Sequence, residues 1–182
     1  MTILGVTASS ILKANYAFES IATASGALST FSLTSIPSTY SHLRIHYYFQ
    51  GGTSSYGPYF TFNGDTTSGA YSMVESYAKG STVVGGAGGI SVAPYIEIPG
   101  AYGNSVQAGE AAYGIIEINN YKSTTMIKET TGYGGLFWTT SNSRVVAVAS
   151  GRWNSTAAIT SITFTTGITT NASSYVALYG VK

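Results

Sequence analysis

Apolar and polar residues alternate along this chain with a period of two, between clusters of Gly, Ser, Asn and Pro. That period places successive side chains on opposite faces of an extended backbone. It predicts strands at YAFESIA from Tyr16, ALSTFSLT from Ala27, HLRIHYYF from His42, PYFTFNG from Pro58 and APYIEIP from Ala93. Further on it predicts YGIIEIN from Tyr113, TTMIKET from Thr124, RVVAVASGRW from Arg144, ITSITFTT from Ile159 and SYVALYGV from Ser174. YSMVESY from Tyr71 and GGLFW from Gly134 carry the same signal more faintly. No window sustains the i, i+3, i+4, i+7 spacing of an amphipathic helix, and at most one helical turn is expected near Met73 to Ala78.

The alternation also predicts sidedness. Leu43, Ile45, Tyr47 and Phe49 fall on one face of their strand, the expected core side, and His42, Arg44, His46 and Tyr48 on the other. Phe31 pairs with Leu33 in the same way, and Ile162 with Phe164. Turns are marked by Asn63-Gly64-Asp65, Pro37-Ser38, Pro99-Gly100 and Asn142-Ser143. Asn-Gly tolerates positive φ at both positions and predicts a tight reversal after Phe62. Gly80 to Gly89 reads as a glycine-rich loop. Many short strands joined by such turns predict an all-β fold, an antiparallel two-sheet β-sandwich with about eight core strands, of jelly-roll type. Residues 1–15 read as an extended N-terminal arm and residues 16–182 as one sandwich domain.

Composition narrows the functional classes. Charged residues make up 8% of the chain, with eight basic against seven acidic, where an average soluble domain holds roughly 25%. A net charge of +1 provides no basic footprint for nucleic acid or an anionic membrane. No run approaches the ~20 apolar residues of a spanning helix, and the first residues lack the layout of a signal peptide. There is no cysteine, hence neither disulfide nor thiolate chemistry. A weakly charged exterior rich in Ser, Thr, Gly, Asn and Tyr favours association with other subunits.

Candidate chemistry is sparse. His42 and His46 are the only histidines; on a strand, four residues apart means roughly 13 Å, too far to share one metal ion. Of the seven carboxylates, only Glu97 and Glu117 occupy similar positions on two strong strands, and a glycosidase would need them facing one cleft. Ordinary pairing with Arg44, Arg152 or Lys122 is the simpler expectation. No G-x-S-x-G elbow and no phosphate-binding loop is present. Asp65, in a turn, is expected to bond its own backbone. The fifteen tyrosines suit subunit packing or stacking on sugars, as well as filling the sandwich.

Five stretches carry a family resemblance: SIPSTYSHLRI from Ser35, FNGD from Phe62, IIEINNYKST from Ile115, SGRWNSTAAITSITF from Ser150 and the terminal YVALYGVK. Together they resemble a group of small virion proteins of tailed phages, over about Tyr16 to Lys182. The resemblance implies a jelly-roll-like sandwich serving as a capsid decoration (cement) protein or as part of a tail fibre. It carries no catalytic residues over. The expectation is a non-enzymatic structural protein without cofactor or metal, made in the host cytoplasm and located on the outer capsid surface. It would bind the major capsid protein as a homotrimer, with no nucleic acid or membrane partner, and His42, Arg44, His46 and Tyr48 would form an inter-subunit contact. The alternative is a tail-fibre or receptor-binding module that recognises host glycans.

Overall fold

The structure, a computed structural model, describes residues 18–51, 57–80, 82–84, 92–100, 110–138, 143–167 and 169–182. The expected N-terminal arm, most of the glycine-rich loop, residues 101–109 and Asn142 lie outside the described residues. Twelve strands and no helix are found among them: β1 Phe18–Ser25, β2 Thr30–Leu33, β3 His42–Gln50, β4 Tyr59–Phe62, β5 Tyr71–Lys79 and β6 Thr82–Val84, followed by β7 Ile96–Glu97, β8 Ala111–Asn119, β9 Lys128–Trp138, β10 Ser143–Trp153, β11 Ile162–Thr165 and β12 Tyr175–Val181.

They form a β-sandwich of two antiparallel sheets. The larger has the order β1-β12-β3-β8-β9-β10-β5-β6 and the smaller β2-β11-β4-β7. The pairings have a simple origin. β1 pairs with β12, β2 with β11, β3 with β8 and β4 with β7, so the outward chain and the returning chain make one long antiparallel ribbon. Folding that ribbon over itself brings β12 beside β3 and β11 beside β4. The hairpin β9-β10 and the pair β5-β6 then extend the larger sheet past β8.

Alternation holds where it was strongest. Leu43, Ile45, Tyr47 and Phe49 are buried, and the intervening residues of β3 are half-exposed. Phe31, Leu33, Ile162 and Phe164 are buried as well. Phe31, Phe49, Phe164, Phe60, Phe62 and Trp153 make a continuous line of rings through the core, each within 6.0 Å of the next. Rings offset or tilted at such spacings add to the area they bury.

Four expectations need correction. Met73 to Ala78 is not a helical turn but the middle of β5, whose inward side chains alternate like those of its neighbours. Of the stretch from Thr124 only Lys128, Glu129 and Thr130 are extended, and they belong with the stretch from Gly134 to a single 11-residue strand, β9. The strand expected at APYIEIP shrinks to Ile96–Glu97. Within the glycine-rich segment, Thr82–Val84 pairs with β5 as a strand.

Glycines explain why β9 reads faintly in sequence. A Cβ at Gly114 or Gly134 would come within 2.4 Å of the Tyr47 hydroxyl, well inside van der Waals contact. Those strands give up side chains so that the buried Tyr47 ring fits between the sheets and its hydroxyl donates to Pro99 O at 3.2 Å.

Candidate functional site

The five stretches singled out in the sequence are tied to one another by hydrogen bonds and packing. Asn63 and Gly64 take φ values of 51° and 69°, and the Asp65 N–H closes the turn onto Phe62 O at 2.9 Å. Asn63 Oδ1 accepts from the N–H groups of Thr160 and Ser161, while Nδ2 donates to Ala158 O at 2.8 Å. Asp65 does more than the sequence suggested: Oδ1 accepts from Thr67 N and Oδ2 from Trp153 Nε1 at 2.7 Å. Those bonds hold its carboxyl below the usual aspartate range, Trp153 contributing most. Tyr121 donates its hydroxyl proton to Pro37 O and accepts from Tyr40 N, and the Tyr40 ring lies over Gly180. These bonds tie the motifs into the fold.

The outer face of the larger sheet is different in character. Cross-strand register lines up Tyr175, Tyr48, Tyr113 and Gly135 with Val146, and in the next row Ala177, His46, Ile115, Tyr133 and Val148. The apolar ends of these rows are open to solvent: Tyr113 is 55% exposed, Tyr133 57%, Val146 61% and Val148 63%. Seven of its strands, β1, β12, β3, β8, β9, β10 and β5, are at least seven residues long, and at about 4.8 Å apart they make a face of about 800 Å². Its charges are few and mostly opposed in sign across strands: Arg44 pairs with Glu117, Glu129 stands opposite Arg152 in the register, and Arg144 lies toward the other end of β10.

The four residues expected to form an inter-subunit contact all lie on this face, on β3, each half-exposed. Arg44 forks onto Glu117 and stacks over the Phe18 ring, 4.4 Å from its centroid. His42 Nε2 approaches Glu117 Oε2 at 3.7 Å. His46 packs on Tyr179, with ring centroids 5.2 Å apart, and Tyr48 stacks on Tyr175. Partial burial, then the nearby Arg44, pushes the His46 imidazole below its ordinary pKa, so it is neutral at neutral pH.

Beside them runs a trough of about 320 Å³ lined by His46, Tyr113, Ile115, Tyr133, Val146 and Tyr175. Its lining bears no formal charge at neutral pH. Sequence reading missed Tyr113, Tyr133, Val146 and Val148 as one surface, because their adjacency depends on the order of strands. The available signal was a strand alternating Val146 and Val148 with small residues, apolar on both faces.

The two carboxylates considered for catalysis do not come together. Glu117 lies on β8 in the larger sheet against Arg44, and Glu97 on β7 in the smaller one. Glu97 instead lies near Glu75, which faces inward from β5. Among the described residues, no three His, Cys, Asp or Glu side chains gather as metal ligands. No helix there is long and apolar enough to cross a membrane. No protein-family model, curated protein or solved structure matches the chain.

Proposed function

We propose that this chain is a structural protein of a tailed-phage virion: a jelly-roll decoration or cement protein on the outer capsid surface. It binds and stabilises the lattice of major capsid protein, assembles as a homotrimer and performs no catalysis. The observation carrying this reading is the broad, weakly charged outer face of the eight-stranded sheet. Its area of about 800 Å² equals what one partner contributes to a standard protein interface. Its exposed tyrosines and valines contribute free energy on contact rather than in the isolated subunit. The ribbon pairing of β1 to β4 with β12, β11, β8 and β7 supports the jelly-roll assignment. The resemblance of the five motif stretches to small virion proteins of tailed phages supports the phage assignment. A net charge of +1 gives neither nucleic acid nor an anionic membrane anything to recognise.

A decoration protein adds contact area across a lattice under internal pressure. Particles stripped of it therefore open at a lower temperature than complete ones, and adding the protein back restores their heat resistance. Equal heat resistance with and without it contradicts the cement role.

One observation favours a second reading, a receptor-binding module for host glycans. The trough walled by Tyr113, Tyr133 and Tyr175 offers aromatic faces and hydroxyls without formal charge, which suits stacking on a neutral sugar. Binding of the purified protein on a glycan array, abolished by Tyr133→Ala, would favour this reading over the first. An array without signal counts against it.

A further inference from the structure

The interior holds two carboxyl groups that no described residue neutralises. Glu75 is 2% exposed, on the inward face of β5. Its Oε1 accepts the Gly100 N–H at 2.5 Å, and its Oε2 is buried without a hydrogen-bond partner. Glu97, half-buried on β7 across the sandwich, likewise has a buried, partnerless Oε2. The two strands meet where the sheets close on each other, beside the Tyr71–Ala93 bridge. A buried carboxylate without a partner is costly, and a second carboxyl near enough to feel its charge adds to that cost.

Among the described residues, no element packed against the pair supplies a compensating cation. β3 contributes Tyr47, whose hydroxyl is committed to Pro99 O. On β5 lie Tyr71, bonded at the Phe62–Asp65 turn, and Tyr77. Lys79 is four residues from Glu75, about 13 Å along the strand, and has an interaction of its own. From β4 comes Tyr59, the register partner of Glu97, and before β8 the buried Glu110, both with partners of their own. The inward residues of β8 and β10 carry no charge. Lys128 of β9 is spent on the carbonyls of Ser123, Met126 and Thr156. Beside Glu97 the interior void is about 10 Å³, at the lower limit for one water and too small for a hydrated metal ion. A proton is the compensating species that fits.

We propose that Glu75 and Glu97 form a proton-held latch between the two sheets, closed while the pair is protonated and weakened when both carboxyls ionise. The latch is independent of what the outer face binds. Burial first, and then the Glu75 charge, push the Glu97 carboxyl up to about 7 from 4.5, and burial raises Glu75 as well. The sign follows from linkage. A carboxyl whose pKa is higher folded than unfolded contributes stability that is complete below 4.5 and is lost as pH rises through about 7. For Glu97 alone this amounts to about two orders of magnitude in the folding equilibrium constant. His46, with its lowered pKa, acts in the opposite sense at acid pH, so the comparison between variants isolates the latch.

The test is urea unfolding of the full chain at about pH 5 and about pH 8, for wild type, Glu97→Gln and Glu75→Gln. Wild type should lose about two orders of magnitude in its folding constant between the two conditions, and Glu97→Gln should lose most of that dependence. Glu75→Gln keeps one polar acceptor for Gly100 and should lower the Glu97 titration midpoint, followed by carboxyl carbon resonances in wild type and variant. Stability that is flat or rising with pH in wild type overturns the latch, as does a Glu97→Gln protein with the wild-type dependence. If Glu97→Gln does not fold, a Glu97 carboxyl in wild type titrating near 4.5 overturns it. Stability at pH 8 restored by calcium would replace the proton with a metal and also overturn it.

Discussion

Gly180 and Tyr40 show how single positions carry this fold. A Cβ at Gly180 would meet three atoms of the Tyr40 ring at 2.2 to 2.4 Å, so the glycine is the floor on which the ring lies. Gly180→Ala should cost about 1–3 kcal/mol by overpacking, measured by urea unfolding. In the Tyr40→Ala background the same change should cost much less, because the obstructing ring is gone. Equal cost in both backgrounds would place the strain elsewhere. Lys128 is a second such position. It is buried, and its ammonium donates to three backbone carbonyls at 2.6 to 3.1 Å. Lys128→Met keeps the stem and removes the donors, leaving three acceptors unsatisfied. A loss of about 1–3 kcal/mol is expected, and a neutral result would mean that water replaces the ammonium. Neither role was legible in the sequence, where Gly180 sits in a strand pattern and Lys128 in an ordinary alternation. Gly180 depends on Tyr40, far along the chain, and Lys128 on how the carbonyls of Ser123 and Met126 turn toward it together with that of Thr156.

Among elements, the sequence announced best those strands whose two faces differ. β3 alternates cleanly because one side meets the ring-filled core and the other meets solvent, so its boundaries were readable within a residue. β9 was hidden because glycines at 132, 134 and 135 remove the alternation; Gly134 makes space for Tyr47, while a Cβ at Gly135 would come within 3.1 Å of the Tyr113 ring. β6 was hidden by its glycine-rich surroundings. β5 read only faintly as a strand, with room for a helical turn, because Glu75 occupies a core position and a charged residue there breaks the apolar count. The turn between β4 and its neighbours gives a sharper test. Asn63 joins β4 to the segment before β11 through bonds from Thr160 N and Ser161 N and one to Ala158 O. Asn63→Ala should lower the melting temperature, with a loss of about 1–3 kcal/mol, partly because a φ of 51° suits Asn better than Ala. The Arg44–Glu117 pair is half-exposed, and removing it should cost at most about 1 kcal/mol. A larger loss for the ion pair than for Asn63 would reverse this ordering.

At the scale of the whole molecule, the chain solves its low charge by dividing its apolar residues into two groups. Phe31, Phe49, Phe60, Phe62 and Phe164 fill the space between the sheets. Tyr113, Tyr133, Val146 and Val148 stay on the outer face, where they add little to the stability of one subunit. The sandwich class was legible from period and punctuation alone. The outer face was not, since it arises from the order β8-β9-β10, which no local pattern encodes. Substitutions there should separate folding from assembly. Val148→Lys should change the stability of the isolated protein by no more than about 0.5 kcal/mol, while placing an unpaired charge in the centre of the contact. The most direct measurement is the number of copies of wild type and Val148→Lys retained on purified particles after exposure to equal concentrations of each. Wild type should saturate the lattice in many copies and the variant should be nearly absent. Equal occupancy by the two proteins would contradict the assignment of this face as the binding surface.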